Sequence, residues 1–187
     1  MHRTLQYAIL FIVMVILQIF LFSRIGISVY VHPLVCIAFI VLLPMEFAPL
    51  ALLGLGLLLG VTLDFFMATA GIHTVAALLA AFCRPALLNV LVGKDEVKDG
   101  GVPNVNRIGA KKFVRYASAM ILIHSTAFFL LEALSWSFFY RTALRIALSS
   151  AVTLPLVYFC QKLFSVKRSE PWTVSSESRH YKSALSQ

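Results

Sequence analysis

Apolar residues do not alternate with polar ones along this chain. They come in long unbroken runs separated by short polar breaks. Crossing a hydrocarbon core of about 30 Å takes about 20 mostly apolar residues as a helix, and six runs approach that length, over about 5–22, 27–43, 47–68, 72–92, 113–134 and 142–164. The first has His2 and Arg3 in front and resembles a signal peptide. It is long, however, and no small-residue cleavage site follows at Phe22-Ser23-Arg24, so it is read as a retained signal anchor. The second is crowded at its start by Tyr30, His32 and Pro33, and the third follows a Pro44-Met45-Glu46 turn. The fourth contains Arg84-Pro85, where the helix is expected to break. A membrane β-barrel would alternate apolar and polar residues along short strands. Continuous runs instead predict an all-α integral membrane fold of six transmembrane helices within a single domain over 1–165.

Two stretches stand apart. Residues 93–112 are rich in Gly, Asn, Lys and Asp and are expected to be a solvated loop. Residues 165–187 form a Ser-rich basic tail expected to be disordered.

Composition sharpens the reading. Hydrophobic residues make up 60% and charged residues 13% of the 187, with mean hydropathy +0.88. Soluble domains are about 45–50% apolar and about 25% charged, so a soluble globular domain and a disordered protein are both excluded. The net charge of +8 would suggest nucleic acid in a soluble protein. Here it sorts by side. With the N-terminus in the cytoplasm, the cytoplasmic regions hold twelve of the sixteen basic residues: Arg3, Lys94, Lys98, Arg107, Lys111, Lys112, Arg115, Lys162, Lys167, Arg168, Arg179 and Lys182. That is the positive-inside pattern, with both termini cytoplasmic and the basic faces available to anionic lipids. Cys36, Cys83 and Cys160 lie in apolar segments and read as buried reduced thiols.

Charges within the spans are costly and are the first candidates for function. They are Asp64, Arg84, Glu132 and Arg145, with His73 and His124 beside them. Gly56, Gly60 and Asp64 fall at i, i+4, i+8 on one helix face, a small-residue strip that admits close helix packing. Packing is preferred there over a ligand or proton site. His73, Ala77, Ala80 and Arg84 form a second strip. Asp64 and Arg84 differ in depth by roughly 12 Å of helical rise and are not paired. Arg84 is expected to snorkel toward the cytoplasmic interface. Glu132 and Arg145 bracket the last turn at equal depth, predicting an intramembrane ion pair that clips two helices, with Arg141 as a competitor. Trp136, Phe138, Phe139 and Tyr140 read as an interfacial aromatic belt.

Enzyme signatures are missing: there is no H-E-x-x-H, no G-x-S-x-G and no Gly-rich phosphate loop with a Lys. No catalytic residue, metal site or cofactor is assigned.

Several features in order resemble the MreD family of bacterial rod-shape-determining membrane proteins. They are Pro33, then Gly56-x3-Gly60-x3-Asp64-x6-Gly71, His73 and Ala-Phe-Cys-Arg-Pro over 81–85. A basic loop, Ile123-His124, Glu132, Leu144-Arg145 and Leu148-Ser149-Ser150 complete the series, which covers about residues 1–165. The resemblance implies a non-catalytic scaffold or regulatory subunit of the cell-elongation machinery that builds peptidoglycan, in the bacterial cytoplasmic membrane. Its implied partners are an MreC-like bitopic protein, the MreB-type filament and the RodA–transpeptidase pair. The implied fold is similar to the six-helix substrate-binding membrane component of energy-coupling-factor vitamin transporters. Partner contact or helix packing is expected from Gly56, Gly60, Asp64, Gly71, His73 and Arg84, and partner contact also from the basic loop. The alternative is a small-molecule-binding membrane subunit or permease of the vitamin-transporter type, with Asp64, His73, Glu132 and Arg145 lining one pocket.

Overall fold

A computed structural model describes residues 2–24, 32–133 and 139–166 of the chain. The described residues form helices and no strand: α1 (His2–Arg24), α2 (Ile37–Leu42), α3 (Pro49–Met67), α4 (Ile72–Leu87), α5 (Lys94–Lys98), α6 (Val105–Ile108), α7 (Ala110–Ala133) and α8 (Phe139–Val166). Four helices are long and apolar enough to cross a membrane, at 49–67, 72–92, 110–133 and 140–163, and α1 adds a shorter apolar stretch, Leu5–Leu21. The chain is thus an all-helical membrane protein.

The long helices surround a central segment. Every residue from 33 to 43 is buried, and α2 touches α1, α4, α7 and α8. This corrects the expectation of a continuous helix over 27–43. Residues 27–31 lie outside the described residues, 32–34 are non-helical, and α2 is only six residues long. The cause is local. Pro33 has no backbone N–H to donate and disfavours helical backbone at the residue before it. Residues 33–43 of the run that read as a spanning helix instead form part of the core, packed among the long helices.

Helices α3 and α4 form a tight antiparallel hairpin. Pro49 opens α3 at its first turn, where the missing donor costs nothing. Ala68 (φ 52°) and Gly71 (φ 84°) turn the chain through left-handed backbone. The expected break at Pro85 does not occur. α4 runs through to Leu87 and continues as a π-helical turn, Leu88–Val92. The Leu88 N–H reaches the carbonyls of Arg84 and Pro85, and the wider winding follows after the proline, where the Gly93 N–H donates to the Leu88 carbonyl five residues back (3.2 Å).

The 93–112 stretch is not a free loop either. Met45 N–H donates to the Gly101 carbonyl (2.8 Å), and Gly101 N–H donates to Glu46 Oε1 (2.6 Å). Val105 N–H donates to Gln161 Oε1 on α8 (3.1 Å), while Ile108 is buried. Its backbone at Gly101 and Val105 thus binds the 44–46 turn and the end of α8. The tail from 167 onward, Trp136 and Phe138 lie outside the described residues.

Candidate functional site

Asp64 sits on the last turns of α3 and serves the first turn of α4. Its Oδ1 accepts the His73 N–H (3.0 Å) and the Thr69 hydroxyl (2.5 Å). Its Oδ2 accepts the Thr74 N–H (2.9 Å) and the Thr74 hydroxyl (2.5 Å). The first N–H groups of a helix lack partners within it and favour a negative charge nearby. Gly71 stands at the capping position of α4 and has no side chain to offer, so the carboxylate of the preceding helix supplies the cap. His73 Nδ1 lies 3.1 Å from the same Oδ1 and 3.0 Å from the Thr69 hydroxyl.

Gly56 and Gly60 make this possible. A Cβ at Gly56 would come 3.0 Å from Ala81 Cβ, and one at Gly60 would collide with Thr74 Cα. The small-residue face of α3 is therefore occupied by the small-residue face of α4. Gly56, Gly60, Asp64 and His73 are buried within the chain, which corrects the expectation that this face is open to a partner.

Arg84 is 1% exposed. It does not snorkel to the interface; it turns inward onto the central segment. Nε donates to the Tyr116 hydroxyl (3.0 Å), Nη1 to the Pro44 carbonyl (3.2 Å) and Nη2 to the Leu43 carbonyl. The reason is the end of α2, whose last carbonyls have no helical partner and attract a cation. Tyr116 in turn lies 3.5 Å from the Val41 carbonyl.

The other end of the central segment is held likewise. Gln18 on α1 donates from Nε2 to the Pro33 carbonyl (3.2 Å), and its Oε1 accepts the Cys36 N–H (3.1 Å). On α8, Ser149 Oγ accepts the His32 N–H (3.0 Å) and Thr153 Oγ1 accepts the Leu34 N–H (3.1 Å). Non-helical backbone at membrane depth survives only when buried in protein with its polar groups satisfied. Gln18, Arg84, Tyr116, Ser149 and Thr153 do that work. From the sequence only Arg84 and Ser149 stood out, Ser149 within the family resemblance, and neither was given this role. The available signals were a Gln deep inside the first apolar run and the i, i+4 spacing of Ser149 and Thr153.

Glu132 and Arg145 are brought together. Arg145 Nη2 lies 2.9 Å from Glu132 Oε2 and 3.1 Å from Oε1, and its guanidinium stands 4.8 Å from the Phe129 ring centroid. Asp64 and His73 belong to the α3–α4 junction, and Glu132 and Arg145 to the α7–α8 pair. Between the two, His73 packs edge-on against Phe128 with centroids 4.7 Å apart, and Phe128 packs against Phe129. His73 Nε2 and Arg145 Nε, beside this aromatic bridge, are buried with no hydrogen-bond partner among the described residues, as are His124 Nδ1 and Ser125 Oγ on α7 and Ser150 Oγ on α8. Among the described residues no group of three or more His, Cys, Asp or Glu is placed to hold a metal ion.

No family model matches the chain, and neither a curated protein nor a solved structure matches it.

Proposed function

We propose that this protein is a non-catalytic scaffold or regulatory subunit of the bacterial cell-elongation machinery, as its resemblance to the MreD family implies. One observation carries the reading. Asp64, Arg84 and the Glu132–Arg145 pair all bind groups of the chain itself. They hold helices in place, as the membrane core of a scaffold requires. Six crossings with both termini in the cytoplasm fit the path of the central segment. It meets α8 first at Ser149 (His32) and Thr153 (Leu34), and twelve residues along α8 from Ser149 the loop beside Met45 meets Gln161. A rise of about 18 Å over those twelve residues carries the chain from one end of the bundle toward the other.

With the α3 face occupied, the contact with an MreC-like partner falls to the basic loop. Lys94, Lys98, Lys111 and Arg115 are exposed there, suited to an acidic partner surface or to anionic lipids. Replacing Lys94, Lys98 and Lys111 together with Glu should abolish co-purification of the MreC-like protein while the chain still accumulates in membranes. Undiminished co-purification would remove the loop from the interface.

The second reading is a small-molecule-binding subunit of the vitamin-transporter type. It is favoured by the buried, unpartnered His73 Nε2 and Arg145 Nε, whose side chains pack on Phe128 and Phe129. A ligand there raises the melting temperature of the purified protein. A vitamin and metabolite panel that produces no shift counts against it.

A further inference from the structure

We infer that the groove between α1 and α3 is a binding site for one zwitterionic phospholipid with an ammonium headgroup, of the phosphatidylethanolamine type. The groove has a cavity volume of about 1630 Å³, beyond the roughly 300–1,000 Å³ of sites built for drug-sized molecules. Its walls are apolar, with Phe11 and Ile12 from α1 and Leu55 and Leu58 from α3. Its rim is polar, with Glu46 from the 44–46 turn and Asp99 and Arg107 from the 93–109 region.

Depth argues for a lipid over a partner helix. Along α3 the groove extends from Ala48 to Leu58, ten residues or about 15 Å of rise. That is half of a hydrocarbon core of about 30 Å, the reach of one leaflet. α3 itself continues to Met67, with Val61 and Phe65 exposed beyond the end of the groove. A spanning helix would need a seat over the full thickness. An acyl chain needs one leaflet, with its headgroup at the polar rim.

Charge selects the headgroup. Glu46 and Arg107 flank the same glycine. Glu46 Oε1 accepts the Gly101 N–H at 2.6 Å, and a Cβ at Gly101 would come 2.5 Å from Arg107 Nη1. Asp99 carries a further carboxylate on the rim, and Arg107 Nη2 donates to the Asp99 carbonyl (2.8 Å). A cation and two carboxylates side by side match a phosphate joined to an ammonium. A purely anionic headgroup would meet the carboxylates unfavourably.

Gly54 supplies the test, because it lines the groove and a Cβ there would meet nothing within 4 Å. Gly54→Leu and Ala51→Leu should fill the groove without disturbing the bundle. The full-length protein is reconstituted in nanodiscs of equal phosphatidylethanolamine and phosphatidylglycerol, transferred to mild detergent and examined by native mass spectrometry. The wild type should keep phosphatidylethanolamine about ten-fold over phosphatidylglycerol. Both filled-groove variants should lose it at unchanged melting temperature, and Arg107→Gln should weaken it. Equal retention by wild type and both variants overturns the site, and a preference for phosphatidylglycerol overturns the headgroup assignment. Cross-linking of Gly54→Cys to a membrane protein in cells replaces the lipid with a partner helix and overturns it as well. Failure of both variants to fold means the chain itself fills the groove, which is equally contrary.

Discussion

Asp64 caps a helix to which it does not belong: its Oδ1 accepts the His73 N–H at 3.0 Å across the α3–α4 turn. Two backbone donors and two hydroxyls converge on this one carboxylate. Asp64→Ala removes the cap and leaves those donors buried, with an expected loss of about 2–4 kcal/mol, from about 0.5–2 for a cap and about 1–3 for an orphaned donor. Asp64→Asn keeps acceptor oxygen but no charge, and falls between. Thermal denaturation in detergent reads the order. An Asp64→Ala variant as stable as wild type would contradict the assignment.

Two glycines on different faces of α3 respond oppositely to a methyl group. Gly60→Ala drives a Cβ into Thr74 backbone, and backbone cannot rotate aside as a side chain does. Overpacking of this kind costs about 1–3 kcal/mol or more. Gly54→Ala meets nothing and gains helix propensity, a change of about 1 kcal/mol in the stabilising direction. Melting temperatures of the two variants should therefore move apart, down for Gly60 and level or up for Gly54.

Arg84 holds the end of the central segment. Arg84→Met strands the Leu43 and Pro44 carbonyls and should cost about 2–4 kcal/mol. Arg84→Lys keeps the charge but lacks the planar fork that reaches Tyr116, Pro44 and Leu43 together, and recovers part of the loss. Hydrogen exchange localises the effect. Residues 36–46 should exchange faster in Arg84→Met while α7 stays protected. A uniform rise over the whole chain would assign Arg84 to general packing.

The Glu132–Arg145 pair is partly exposed, so its worth is modest, at most about 1 kcal/mol in the range measured for accessible ion pairs. Glu132→Arg alone places two cations together and should lower the melting temperature by more than that. Adding Arg145→Glu restores an opposite-charge pair and should recover most of the loss. Absence of recovery would mean that the side chains act separately.

Hydropathy made the long helices and the α3–α4 hairpin legible, because lipid exposure demands continuous apolar runs. It misread 27–43 for the same reason. An apolar run buried by protein has the composition of one facing lipid, and only Pro33 marked the difference. The Glu132–Arg145 approach was readable because a short turn fixes depth. Asp64's role was not, because its donors lie nine and ten residues ahead in the next helix, where hairpin geometry and not spacing decides contact. Arg84 was assigned to the interface because no carboxylate matched its depth. Its partners are backbone carbonyls, which a sequence does not display. The ordering of 93–109 was hidden for a related reason: its polar residues bind the backbone of the chain in place of water.

The central claim is that the protein serves cell elongation as a membrane scaffold. The most direct measurement is depletion in the host, with cell width, cell shape and nutrient uptake followed together. The account predicts that rods widen and round up while uptake stays normal, and that wild-type protein restores the rods where the Lys94, Lys98 and Lys111 to Glu variant does not. Cells that keep their rod shape and acquire a nutrient requirement would contradict it.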